Sequence, residues 1–139
     1  MHRLTIFSAF ISLLLSGAIF GFFYAWVCST MWGLDTLAPN TAIAAMQAMN
    51  ASVRNAVFMP AFFLTPVTMF VTAALAHKTR AKTAALAFGL GGVIYLFGGL
   101  ILTAAVNVPM NEVLGLVQLP LPEDEARAIW SAYSVKWQV

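Results

Sequence analysis

The sequence predicts an all-α fold, an integral membrane helical bundle, and two observations carry that prediction. Three apolar stretches, residues 4–26, 56–76 and 84–106, contain no Lys, Arg, Asp or Glu. Each reaches or exceeds the roughly 20 residues that a helix needs to cross a hydrocarbon core about 30 Å thick. The second observation is composition. Of 139 residues, 61% are hydrophobic and only 9% are charged, which leaves too little polar surface to clothe a water-soluble domain of this size. Residues 1–139 therefore read as a single transmembrane domain with three clear transmembrane helices and membrane lipid as their main solvent.

The first stretch follows Met1-His2-Arg3, an arrangement that also opens secretory signal peptides. Here the apolar run passes well beyond a signal's hydrophobic region of about 7–15 residues and no A-x-A cleavage site follows, so an uncleaved spanning helix is expected. Gly17-x-x-x-Gly21 puts two glycines on one face of it, and Gly91/Gly98 and Gly92/Gly99 repeat at seven residues in the third stretch. Small residues let helix backbones approach closely, and tight bundling within the chain is favoured over dimerisation. Phe20, Phe22, Phe23, Tyr24 and Trp26 cluster near the outer end of the first span, where an aromatic belt anchors a helix.

Pro39-Asn40 closes a loop, Asn40 is the expected N-cap, and residues 41–55 are rich in helix formers. A helix starting there and running unbroken through the second span would exceed about 50 Å, too long for a bilayer. Pro60 and Pro66 are the expected bends, since proline removes a backbone donor and crowds the preceding turn. The result is an outer helical arm leading into a kinked second span, with Thr65, Thr68 or neighbouring helices satisfying the freed carbonyls. After the third span, Asn107-Val108-Pro109-Met110-Asn111-Glu112 reads as a turn that caps the next helix. The tail from Pro122 reads as an amphipathic helix, with Glu123, Asp124 and Glu125 at its start and Ile129, Trp130, Tyr133 and Trp137 along one side. With Arg127 and Lys136 inside it, this helix is not expected to cross the membrane.

Charge sets the expected orientation. The connection His77-Lys78-Thr79-Arg80-Ala81-Lys82 is the most basic part of the chain, and Arg3 lies two helix ends away on the same side. Both are assigned to the cytoplasm, giving a multi-pass plasma (inner) membrane protein with a cytoplasmic N-terminus and loop 77–82. The regions carrying Asp35, Arg54, Glu112 and residues 123–125 face outward. No clustered basic face suits nucleic acid, and the single cysteine, Cys28, excludes an internal disulfide or a CxxC site. No metal site is expected, because His2 and His77 lie on the side opposite Cys28. The thioethers of Met31, Met46, Met49 and Met110 suit Cu(I), yet methionine in such helices is more often plain packing. No phosphate loop, nucleophile elbow or HExxH occurs, and the absence of charges within the spans argues against ion-coupled transport.

A glycine-rich aromatic first helix, the run Met46-Gln47-Ala48-Met49-Asn50, the segment Asn107-x-Pro109-x-Asn111 and the pair Trp130-x-x-Tyr133 occur together. In these features the chain resembles the DUF1772 family of small membrane proteins, which includes the anthrone oxygenases, and the resemblance extends over most of the chain. It implies O2-dependent oxidation of an anthrone-type aromatic to a quinone, without flavin or haem. Ser134 and then Lys136 or Trp137 stand where the family usually has an asparagine and an arginine. The C-terminal amphipathic helix stands where the family has a fourth transmembrane helix.

Oxidising an anthrone without a cofactor requires removal of an acidic benzylic proton. The resulting carbanion passes an electron to O2, so the protein must supply a base and stabilise an oxyanion. Glu112 or Asp35 is the candidate base, and Gln47, Asn50, Arg54, Asn55, Asn107, Asn111 and Tyr133 are candidate donors. Asn107, Asn111 and Glu112 are assigned to catalysis. Gln47, Asn50, Arg54, Trp130 and Tyr133 are assigned to binding a hydrophobic aromatic substrate, with Trp130 as an apolar wall. The same polar residues also fit plain helix capping. Two readings follow: a small membrane oxygenase, or a non-catalytic membrane protein that binds a hydrophobic ligand or serves as a subunit of a homo- or hetero-oligomer.

Overall fold

The computed structural model describes residues 2–138, which are helical apart from short connections. Helix α1 (His2–Ala25) continues through a π-helical segment, Trp26–Thr30, into α2 (Met31–Asp35). The arm is α3 (Pro39–Ser52), and the second span is α4 (Phe58–Lys78). Helix α5 (Lys82–Ile94) continues through π-helical segments Tyr95–Ile101 and Thr103–Asn107 into α6 (Val108–Gly115), and α7 (Glu123–Gln138) closes the fold. Three helical runs, His2–Asp35, Phe58–Lys78 and Lys82–Gly115, are long and apolar enough to cross a membrane. The first and third continue well past the three stretches read from hydropathy.

The chain forms two compact units, residues 2–21 with Ala56–Thr103 and Phe22–Asn55 with residues 104–138. In the first unit each of the three helical pieces is about 30 Å long, the thickness of a hydrocarbon core. Helix α5 packs on α4 through its glycines: a Cβ at Gly92 would stand 2.9 Å from the Phe70 ring, and one at Gly91 3.4 Å from Met69. Gly17, Gly21 and Gly98 behave otherwise, with no atom of another helix among the described residues within 4 Å of where a Cβ would sit. The expected tight bundling through Gly17-x-x-x-Gly21 is thus not made among the described residues.

Pro66 sits inside α4 and cannot donate to the carbonyl of Phe62 four residues earlier. The Tyr95 hydroxyl of the neighbouring helix donates to that carbonyl instead, at 2.9 Å. Helices α1 and α4 meet at hydroxyls: Thr72 Oγ1 lies 2.6 Å from Ser8 Oγ and 2.9 Å from Ser12 Oγ, with Ser12 and Thr72 fully buried. In hydrocarbon, such pairs satisfy polar groups that have no water to turn to. Helix α4 ends with Arg80 at φ 62°, the left-handed position that glycine usually fills, at an expense of about 1–2 kcal/mol for a residue with a Cβ.

The second unit packs α2, α3, α6 and α7 around Trp26, Met31, Leu34, Ala42, Ile43, Met46, Leu114, Ala126, Trp130 and Tyr133. Met49 and Met110 pack against this core, so the four methionines considered for copper lie in or beside one apolar core. Three local expectations are corrected here. Helix α3 begins at Pro39 with Ala38 as its N-cap, while Asn40 reaches away, donating to the Leu121 carbonyl and accepting from the Leu121 amide. The arm does not run into α4 through proline kinks. It stops at Ser52, where Ser52 Oγ donates to the Met49 carbonyl and Asn55 Nδ2 to the Ser52 carbonyl, local bonds that compete with helix continuation. Pro60 falls in the first turn of α4, where its missing donor has no helical partner to lose. Finally, Asn107–Glu112 does not turn the chain, because Pro109 lies in the first turn of α6 directly after a π-helical segment that keeps the run continuous.

Candidate functional site

All the residues assigned to catalysis and binding from the sequence fall in the second unit. Three of them meet at one point. Tyr133, buried on the inner side of α7, donates its hydroxyl hydrogen to Asn111 Oδ1 of α6 at 2.6 Å and accepts from Asn50 Nδ2 of α3 at 3.4 Å. Burial pushes the Tyr133 hydroxyl above its ordinary value, outweighing smaller downward pulls from the Asn50 amide and the Trp137 indole. The phenol therefore stays neutral, a donor to Asn111. The Trp137 Nε1–H is buried beside this group and closes no hydrogen bond of its own among the described residues. Its ring stacks on Trp26, 5.1 Å between centroids.

Trp130 stacks on Tyr133 three residues later in α7, 5.8 Å between centroids, and is buried. Its indole N–H donates to Asp35 Oδ1 at 2.9 Å. The same carboxylate, at the end of α2, accepts from Ser134 Oγ at 2.7 Å and, through Oδ2, from Gln138 Nε2 at 2.9 Å. Both oxygens are thus engaged with α7, which makes Asp35 a fastener of that helix. Trp130, Ser134 and Gln138 recur every four residues, one face of the helix. That spacing was visible in the sequence, but nothing in it named Asp35 as the partner.

The remaining residues divide between positioning and exposure. Gln47 Nε2 donates to the carbonyls of Leu114 and Val117, both 2.9 Å away, and so closes the C-terminal end of α6 against α3. Arg54 and Glu112 form an ion pair at 3.6 Å with both side chains more than half exposed. Glu112 neighbours Asn111 in α6 but points about 100° away from it around the helix, and the structure does not bring it into the Tyr133 cluster. Asn107, half-buried, stands one helical turn before Asn111.

A sequence model of the family described as anthrone oxygenase matches residues 47–139. This chain belongs to the anthrone oxygenase family. No curated protein and no solved structure shows significant similarity to it. The matched segment begins at Gln47 and holds every residue assigned from the sequence to catalysis or binding, including the Asn50–Tyr133–Asn111 cluster and the Arg54–Glu112 pair. Asp35 and Trp26 lie before it, so two supports of the family's C-terminal helix in this chain, the carboxylate under Trp130 and the indole under Trp137, come from outside the family segment.

Proposed function

We propose that this chain catalyses oxidation of an anthrone-type aromatic by O2 to a quinone and water, with no flavin or haem. The overall change balances: the methylene of the anthrone loses two hydrogens and gains one oxygen atom, and the second oxygen atom leaves with those hydrogens as water. The single observation that carries the reading is that the segment matched by the family gathers Tyr133, Asn111 and Asn50 into one polar cluster walled by Trp130. With Asn111 Oδ1 engaged by Tyr133, its amide hydrogens remain to donate to an enolate oxygen, the charge that develops when the benzylic proton leaves. Asn107, one turn earlier, supplies a second amide on the same face. Glu112 is the carboxylate assigned as base, since Asp35 is engaged on both oxygens. Gln47 and Arg54 act at one remove, Gln47 by fixing α6 and Arg54 by holding Glu112. Residues 1–139 act as one transmembrane domain, with the N-terminus and loop 77–82 cytoplasmic as the cation bias indicates.

The test is incubation of the purified chain, reconstituted in lipid, with an anthrone under air and under argon. Quinone formation and O2 consumption above the uncatalysed rate, in air alone, are expected. A rate equal to protein-free lipid would eliminate the enzyme. One observation favours a second reading, a non-catalytic protein that holds a hydrophobic aromatic ligand or joins a larger assembly: most of the polar side chains in question are already hydrogen-bonded or ion-paired within the chain. Saturable anthrone binding without turnover would select it.

A further inference from the structure

Every charged side chain of the first unit is cationic. Arg3, Lys78, Arg80 and Lys82, with His2 and His77, fall within residues 2–21 and Ala56–Thr103, and no Asp or Glu does. These groups also gather at one end. Ser8 and Ser12, near the start of α1, both bond Thr72, near the end of α4. Successive spans cross a membrane in opposite directions, so Arg3, before Ser8, and Lys78, after Thr72, lie on the same side of that contact, each roughly 8–9 Å beyond it along its helix.

The turn between α4 and α5 holds the other cations in a fixed frame. The Ala81 amide donates to the Ala76 carbonyl at 2.9 Å and the Arg80 amide to the His77 carbonyl at 3.0 Å, the paired closure of a helix that ends in a left-handed residue. That residue is Arg80, at φ 62°, where glycine would fit without strain. The amides of Thr79 and Lys82 are also satisfied, by the carbonyls of Leu75 and Arg80. The backbone of the turn is therefore complete in itself, while Lys78, Arg80 and Lys82 are exposed with no carboxylate in their unit to neutralise them.

We propose that this cationic end is a binding site for the phosphate of anionic phospholipid head groups. The lipid, not a free anion, is the occupant because the turn joins two helices that are each long and apolar enough to span, which sets its cations at the level of the head groups. A strained arginine in place of glycine gives the site a planar guanidinium that can bind phosphate through two parallel hydrogen bonds. The proposal is independent of the oxygenase reading, and its test needs no turnover.

The full chain, reconstituted in phosphatidylcholine nanodiscs with and without phosphatidylglycerol, is assayed by mass spectrometry of retained lipid and by thermal unfolding. Preferential retention of phosphatidylglycerol is expected, falling by about five-fold for each cation removed. Arg80→Gly separates site from fold: it is expected to unfold at a higher temperature in phosphatidylcholine and still to retain less phosphatidylglycerol. Equal retention of both lipids by the native chain overturns the proposal, as does an unchanged preference in the combined Lys78→Gln, Arg80→Gly, Lys82→Gln variant. Glycerol phosphate added to phosphatidylcholine discs is expected to leave unfolding unchanged. A shift matching that of the lipid would make this a free-anion site and overturn the assignment.

Discussion

The two units of this chain solve the same problem, satisfying polar groups, over very different distances in sequence. In the first, most hydroxyls stay close to home. Ser16, Thr65 and Thr68 donate to carbonyls three or four residues earlier, and the hydrogen bonds between helices include one threonine against two serines and one tyrosine against a carbonyl freed by proline. In the second, amides and a carboxylate reach across the fold. Gln47 bonds carbonyls 67 and 70 residues away, and Asp35 accepts from donors 95, 99 and 103 residues away. A helix in hydrocarbon must be nearly self-sufficient, so its neighbours contribute little beyond shape. A unit fastened by long side chains has a specific architecture that depends on a few residues.

That contrast can be broken experimentally. The largest expected effect is on activity: Glu112→Gln should lower anthrone oxidation by about 10²–10⁴-fold, the usual contribution of a general base. The same change should alter unfolding by about 0.5 kcal/mol or less, because the pair with Arg54 is more than half exposed. Full activity in this variant would move the base elsewhere. Next comes Asp35→Ala, which strands three donors of α7. Unfolding followed by tryptophan fluorescence should show a loss of about 2 kcal/mol, moderated by the exposure of the carboxylate. Thr72→Val removes the hydroxyl that Ser8 and Ser12 both bond in the first unit, and about 0.6 kcal/mol is expected, the typical yield of an interhelical hydrogen bond in a membrane. If Thr72→Val proved the more damaging of the two, the contrast between the units would be reversed.

The smallest effect concerns pH. Burial raises the Tyr133 hydroxyl above its ordinary value of 10.0, so the folded state favours the neutral phenol. Its contribution is fully present below about pH 10 and is lost as pH rises through the folded value. Tyr133→Phe should flatten the decline in stability measured across that range, and an unaltered slope would place the phenol in contact with water.

How much of this was legible in the sequence follows the same division. The three spans were read from hydropathy because burial in lipid requires only that a stretch be long and uncharged. The tail helix was read from its acidic start and from Trp130, Tyr133 and Trp137 on one side. Its partners were not legible, because Asp35 and Trp26 sit roughly a hundred residues earlier and no local pattern marks them. Asn40 illustrates the point: its position before a helix suggested a cap, yet a backbone 81 residues away uses both ends of its amide. The prolines misled in a different way. Pro66 is accommodated by Tyr95, and the break falls at residues 53–57, where short polar side chains bond their own backbone. Of the candidate cluster, the residue types were readable and the triad Asn50–Tyr133–Asn111 was not, since three helices must be assembled before it exists.

The fastening of α7 by Asp35 sets an order of events during synthesis. Asp35 leaves the ribosome 95, 99 and 103 residues ahead of Trp130, Ser134 and Gln138. At about 5–20 residues per second, the carboxylate waits on the order of 5–20 s for its donors. During that interval the second and third spans are themselves made and become available for insertion. The second and third spans can therefore insert before Asp35 meets the helix that it fastens.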